Sequence, residues 1–270
     1  MKVADVQALL EARWPQADAE PWDRVGLQVG EPTQPVTHIA CALDADLDTI
    51  RRAHELGADL LVTHHPTYIL EYPDSCPSFY GREVEETAQE LGLALIACHT
   101  NLDASEEARL TVGEGLPLKP LRMLREWRDT GDNATDVPLC FQVWKATKKV
   151  TVKELAEALA KIYNAAVRCS VAPGMDDAEV RVVASVTGSG GDFINEPEQF
   201  RQELLITGEL KYHQRLEASD HGLSTIELGH DVSEWPLVTL LYDALKPFCE
   251  KHDTKITLMT RPERSEVICP

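Results

Sequence analysis

The apolar positions of this chain change period along its length. Over MKVADVQALLEARW (1–14) they recur at helical spacing, with Asp5 and Glu11 between them. This predicts an amphipathic N-terminal helix rather than a signal peptide. From Val36 onward, short continuous apolar runs alternate with helical stretches. VTHIACALDA (36–45), ADLLVTHHP (58–66) and LALIACHTNLD (93–103) read as strands whose continuity suits burial on both faces. Between them, DLDTIRRAHELG (46–57) predicts a helix with Leu47, Ile50, Ala53 and Leu56 on one face and Gly57 as its stop. A loop rich in Pro, Tyr and Ser (66–80) precedes a second helix around 81–92, with Val84, Ala88 and Leu91 on one face. The order βαβαβ is the signature of a parallel sheet.

From about Leu116 to Val180 this rhythm breaks. Pro117, Pro120 and the charged stretch LREWRDTGDNATD come first, followed by the strand-like LCFQVWKA. VTVKELAEALAKIY is then a clear amphipathic helix, with Leu155, Ala158, Leu159 and Ile162 on one face. The content predicts a small α+β insert over 116–180. The first pattern then returns, with strands at VRVVASVTGSGG (180–191), ELLITGELKYH (203–213) and LSTIELGH (223–230), and a helical segment at FINEPEQFRQ (193–202). A long helix comes next, carrying Leu237, Leu240, Leu241, Ala244, Leu245 and Phe248; Ser233, Glu234 and Pro236 suit its N-terminus. The expected fold is α/β, with two similar lobes, mainly parallel strands and an internal pseudo-duplication. Residues 1–115 and 181–270 form its discontinuous core. The duplication is read from ADLLVTHHP against QELLITGEL and from LALIACHTNLD against LSTIELGHDVSE, which pairs His99 and Asp103 with His230 and Glu234.

A parallel strand delivers the residues after it to the carboxyl edge of the sheet, where α/β proteins place their sites. At these tips stand His64 and His65, His99 and Asp103, and His230 and Glu234. Imidazole with carboxylate suits Zn, Fe, Mn, Co or Ni, and the lack of cysteine at the tips argues against a structural thiolate site. The candidates exceed the needs of one tetrahedral ion, so a dinuclear centre fits better, with ions roughly 3.5–4 Å apart. Successive residues of extended backbone point oppositely, so His64 and His65 read as approaching from different sides. Each position also has a purely structural reading. His64 can be a satisfied core histidine, His99 can orient Asp103, Asp103 can cap a helix ahead of Ser105, and Glu234 can complement a helix N-terminus. TGELKYH adds Glu209, Lys211 and His213, which suit an acid, a base or a phosphate contact, or else a solvated helix start.

Composition narrows the classes. With 43% hydrophobic and 26% charged residues the chain is an ordinary globular one, and no apolar run is long enough for a transmembrane helix. A net charge of −19 repels phosphate backbones and anionic membranes, which disfavours a nucleic-acid partner without excluding a small anion held by a local metal. The seven cysteines include no CxxC pair, and Cys41 and Cys98 sit inside apolar runs as small core residues. This cysteine usage predicts a reducing, cytoplasmic setting.

LLVTHHP, HTNLD, TGELKYH and GHDVSE, in this order and at these spacings, resemble the Nif-three-like dinuclear metal-binding family, also catalogued as GTP cyclohydrolase I type 2 homologues. EPWDRVGLQVG (20–30) and GSGG (188–191) are similar to further elements of that family. The resemblance implies a two-lobed α/β fold, a ring-shaped homohexamer and two metal ions facing an internal cavity. It carries the ligand role onto His64, His65, Asp103, His230 and Glu234, and places His99 beside the site. Arg24 stands where the family usually has Asn, and Asp231 where an aromatic or His is common; neither departure removes a ligand. The implied activity is metal-dependent hydrolysis, of the GTP cyclohydrolase type or of a phosphoester or amide. The other reading is a non-catalytic metal-binding ring serving as partner scaffold or metal carrier.

Overall fold

The computed structural model describes residues 1–68, 78–129, 134–175, 177–194 and 202–260. The chain divides into two compact units, Met1–Leu102 with Leu237–Pro270, and Asp103–Pro236.

The first unit is built on a five-stranded sheet of order β1-β4-β3-β2-β11, formed by β1 (Gly26–Val29), β2 (His38–Ala42), β3 (Leu60–Thr63), β4 (Ala94–Ala97) and β11 (Lys255–Leu258). β4, β3, β2 and β11 run parallel, with Leu60 opposite Ile39 and Ala94, and β1 closes the edge antiparallel. Every residue of β2, β3 and β4 is buried, as their unalternating apolar runs require. α2 (Leu47–Glu55) and α3 (Phe79–Glu90) lay Ile50, Ala53, Val84 and Ala88 against Ala40, Ala42, Leu61 and Leu95 of the sheet. Asp46 starts α2 by accepting a hydrogen bond from the Thr49 amide at 2.7 Å, and Ser78 starts α3 in the same way from Gly81. Leu56, expected on the buried face of α2, lies beyond its last turn and is 46% exposed. α1 (Val3–Arg13) buries Val3, Val6 and Leu10, the helical spacing read in the sequence.

The second unit carries a six-stranded mixed sheet of order β5-β6-β8-β9-β10-β7. Its parallel centre is β8 (Val182–Ser185), β9 (Leu204–Thr207) and β10 (Ser224–Glu227); β5 (Leu118–Asp129), β6 (Ala134–Ala146) and β7 (Arg168–Ser170) join antiparallel. The described residues of the charged stretch before LCFQVWKA, which broke the apolar rhythm, lie on a long β5–β6 ribbon with two register shifts. Antiparallel ribbons need no continuous apolar run, so charge along the strand hid it. α6 (Val152–Tyr163) covers one sheet face through Val152, Leu155 and Leu159 against Val183, Leu204, Ile206 and Ile226. Its start is a capping box: Thr151 Oγ1 accepts from the Glu154 amide while Glu154 Oε2 accepts from the Thr151 amide. Ala218 of α7 (Tyr212–Asp220) packs on the other face with Phe141, Val143, Ala184 and Leu205. Each leucine so buried contributes about 2 kcal/mol of transfer free energy.

Two short helices, α4 (Thr100–Asp103) and α5 (Glu106–Leu110), come after β4, and α8 (His230–Lys251) comes after β10. The start of α8 belongs to the second unit, and the stretch from Leu237 onward to the first. The helix expected at 193–202 falls mainly on residues outside the described ones; the described part holds a short 3-10 turn, Gly191–Phe193.

Candidate metal centre

In the first unit, β3 ends at Thr63 and the chain bends at His64 and His65. The two rings therefore do not diverge as they would on continued extended backbone. Their centroids lie 5.0 Å apart, and both approach the ring of His99, at 5.2 Å from His64 and 5.5 Å from His65. Each of the three offers a donor atom within 4.8 Å of the others, a group that could hold a metal ion.

The second atom of each ring is engaged in a way that fixes its chemistry. His64 is fully buried, and its Nδ1 lies 2.9 Å from the carbonyl oxygen of Cys98. A carbonyl only accepts, so Nδ1 carries the proton and the coordinating lone pair is on Nε2. His65 Nδ1 lies 2.8 Å from Asp44 Oδ1, and His99 Nδ1 lies 2.9 Å from Asp23 Oδ1. Carboxylates in this position set the same tautomer. The Asp23 side chain is fully buried and also accepts from the amide and hydroxyl of Thr100. Burial pushes its pKa up, but the hydrogen bond and charge of His99 and the Thr100 hydrogen bonds outweigh it, leaving the carboxyl at about 2. Cys98 contributes its carbonyl and not its sulfur: burial first, then Glu11, holds the thiol up at about 12.

In the second unit, α8 begins at His230, three residues ahead of the Ser233–Pro236 signals, so Glu234 sits one turn inside the helix. The i,i+4 spacing brings His230 Nε2 to 3.1 Å from Glu234 Oε1, and Glu234 is buried. His230 Nδ1 lies 3.0 Å from Glu209 Oε1, again a carboxylate on the far nitrogen. Gly188, at the tip of β8 with φ +61°, passes so close that a Cβ there would run into Glu234 Oε1. Its amide donates to Ser233 Oγ at 2.9 Å, which ties the GSGG segment to the first turn of α8. Gly208 is equally confined, since a Cβ would stand 2.9 Å from the His230 Cα. Asp103, the last residue of α4, accepts from Thr187 Oγ1 at 3.3 Å, and the cap of α5 is Ser105.

Of the TGELKYH group, Glu209 alone meets a ligand candidate. The strand ends at Thr207, Lys211 opens α7 with its amide on Gln214 Oε1, and the exposed His213 stacks edge-on against Tyr212. Sequence reasoning gave no role to Asp23 or Asp44. Asp44 carried a signal, an acid just past β2 at the edge where β3 presents its histidines. Asp23 lies far away in sequence, and only the fold brings it to His99.

The fold and these tips define an α/β protein with imidazoles, oriented by carbonyl or carboxylate oxygens, at the carboxyl ends of parallel strands, in a group that could hold a metal ion. The sequence profile of the Duf34/NIF3 (NGG1p interacting factor 3) family matches residues 1–264, and the chain belongs to that family. It is 32% identical over 253 residues to the GTP cyclohydrolase 1 type 2 homolog of Streptomyces coelicolor, covering 93% of this chain and 88% of the relative. The corresponding protein of Clostridium perfringens is 27% identical over 98% of both chains. Among solved structures, a Staphylococcus aureus hypothetical protein superposes with a TM-score of 0.78 at 22% identity, covering 100% of this chain and 99% of its own. Reduced HcgD from Methanocaldococcus jannaschii gives 0.70 at 24% identity, covering 95% and 96%. Among the described residues no helix is long and apolar enough to cross a membrane.

Proposed function

We propose that this protein is a metal-dependent hydrolase whose centre takes two divalent ions on His64, His65, Asp103, His230 and Glu234. The observation that carries the reading is the orientation of the imidazoles. His64 and His65 each have Nδ1 on a carbonyl or carboxylate oxygen, which leaves Nε2 as the coordinating atom, and His230 has Glu209 on Nδ1 while its Nε2 faces the second candidate ligand, Glu234. Packing alone does not require the same choice at separate strand ends. The donors are nitrogen and oxygen, suited to Zn, Fe, Mn, Co or Ni. Bound there, two such ions would lower the pKa of a shared water and polarise a carbonyl, imine or phosphoryl oxygen.

The chain's own groups then have distinct tasks. Asp44 and Glu209 hold the Nδ1 protons of His65 and His230. Asp23 does so for His99, whose Nε2 is thereby the atom able to take or return a proton beside the ligands. The names of the relatives suggest opening of the GTP ring; phosphoesters and amides have equal standing as substrates. We take the working form to be a homohexamer, as the family resemblance implies, in the cytoplasmic setting that the cysteine usage predicts.

His64→Ala and Glu234→Ala are each expected to abolish metal loading in elemental analysis of protein purified without chelator, and with it turnover. Full occupancy in both variants would sink the ligand assignment. Metal-replete protein that turns over no member of a nucleotide, phosphoester and amide panel would favour the scaffold or carrier reading.

A further inference from the structure

Arg24 is held over the Tyr68 ring, close in the chain to the partner of His99, yet only one end of its guanidinium is used. Nη1 donates to Thr67 Oγ1 at 3.3 Å and to Glu85 Oε1 at 3.2 Å, and the guanidinium carbon lies 3.7 Å from the centroid of the Tyr68 ring. Thr67 also donates to Glu85 at 2.6 Å, so that carboxylate oxygen is shared and its position fixed. Ring stacking and a doubly anchored Nη1 leave the plane little rotational freedom. The other edge of the guanidinium, formed by Nε–H and Nη2–H, is the fork that receives carboxylates and phosphates side-on. Among the described residues neither nitrogen has a partner, and the Arg24 side chain is 24% exposed.

The position of this fork is tied to the cluster by two short links. Arg24 is the residue after Asp23, whose Oδ1 accepts both from the Arg24 amide and from His99 Nδ1. Thr67 is two residues beyond His65. In a chain of net charge −19, a guanidinium fixed in this place meets an anionic ligand where the overall field would repel it. An ion pair serving only as a staple accounts for Nη1 and the Tyr68 contact; it gives no use to the open edge.

We propose that Arg24 is an oxyanion anchor, binding side-on a phosphate or carboxylate group of the ligand that reaches the His64–His65–His99 cluster. This rests on the hydrolase reading for what the ligand is, and it narrows the substrate class to anionic compounds. The anchor itself is testable without any metal.

Inorganic phosphate and acetate are titrated by calorimetry into chelator-treated and Zn2+-loaded protein, as wild type, Arg24→Met and Arg24→Lys. Methionine keeps an aliphatic stem over Tyr68, lysine keeps the charge without the fork, and thermal melts confirm that both variants fold. In metal-free wild type we expect phosphate, acetate or both to bind, with affinity about tenfold to a hundredfold lower in Arg24→Met and intermediate in Arg24→Lys. The bound member of the pair identifies the oxyanion. Equal affinity in wild type and Arg24→Met, or no binding of either anion to metal-free wild type, overturns the proposal. Failure of the wild type to take up Zn2+ counts against the hydrolase reading alone.

Discussion

The two units share a frame of three parallel strands and differ at its tips. In the first, Asp59 precedes β3 and its carboxylate accepts from the amides of Thr37 and His38 at the start of β2. In the second, Glu203 precedes β9 and accepts from the amides of Arg181 and Val182 at the start of β8. The neighbouring backbone bonds repeat too: Ala94 N to Asp59 O matches Ser224 N to Glu203 O, and Leu93 N to Ala88 O matches Leu223 N to Ala218 O. At the far ends the correspondence is one of position, not of residue. Thr63 pairs with Ala97 as Thr207 pairs with Glu227, so His64 and His65 answer to Gly208 and Glu209, and Thr100 answers to His230. Aligning His99 with His230, as their matching i,i+4 acids invite, is therefore one residue out of register. The frame was repeated while the tips diverged: the first unit puts imidazoles after its middle strand, and the second puts them at the start of the helix after its last strand.

The sharpest divergence is at Glu227, the counterpart of Ala97. Its side chain is 9% exposed; Oε2 accepts from the Leu210 amide and from Arg215 Nη1, both at 3.0 Å. Arg215 also donates to the Leu210 carbonyl, so this pair clamps the turn that presents Glu209 to His230. Glu227→Ala strands a buried amide and takes the carboxylate from a partly buried guanidinium, and the expected loss of stability is about 3 kcal/mol in urea unfolding. Hydrogen exchange should quicken at Leu210 and neighbouring amides while the amides of His64 and Cys98 keep their protection. Uniform loosening of both tips would show that the two frames do not stand independently.

The histidine partners offer a second contrast. Asp23, fully buried on its side chain, holds His99; Glu209, 58% exposed, holds His230. Because the Asp23 pKa is depressed from 3.8 to about 2, its stabilisation is fully present above the unfolded value and is lost as pH falls through about 2. The shift corresponds to about 2 kcal/mol. Asp23→Asn should therefore cost about 2 kcal/mol at pH 7, with the gap to wild type closing as acid unfolding is tracked toward pH 2. Glu209→Gln should cost less than about 1 kcal/mol at any pH, because solvent screens an exposed pair. A Glu209→Gln variant as destabilised as Asp23→Asn would erase the distinction between a buried and a solvated partner.

The same contrast explains what was legible in the sequence. The parallel strands of both frames announced themselves because a strand buried on both faces has no polar alternation, and LLVT and LLIT are such runs. The ligand candidates stood out because histidines are rare at the end of an apolar run. The β5–β6 ribbon stayed hidden because its early part is charged, and the bend after Thr63 because nothing in THHP marks the loss of extended backbone. Asp23 and Arg24 were visible as residues but not as groups of the site. Their partners, His99 and Glu85, come from distant segments, and pairing of that kind is decided by tertiary packing.

A small effect bears most directly on the repeat itself. Asp59 Oδ2 accepts from Thr37 N at 2.7 Å, Thr37 Oγ1 at 2.6 Å and His38 N at 3.0 Å. Burial raises its pKa, but these bonds, with the charge of His38, bring it below the ordinary aspartate value, so their contribution fades as pH drops through the carboxylate range. Asp59→Ala and Glu203→Ala each remove an acceptor from two backbone amides at a half-exposed sheet end, where a net loss of about 1 kcal/mol is expected. The two variants should match within about 0.5 kcal/mol, and the double variant should lose their sum, since the sites share no partner. A loss confined to one of them would mean that the shared hydrogen-bond pattern is inherited geometry that only one unit still uses for stability.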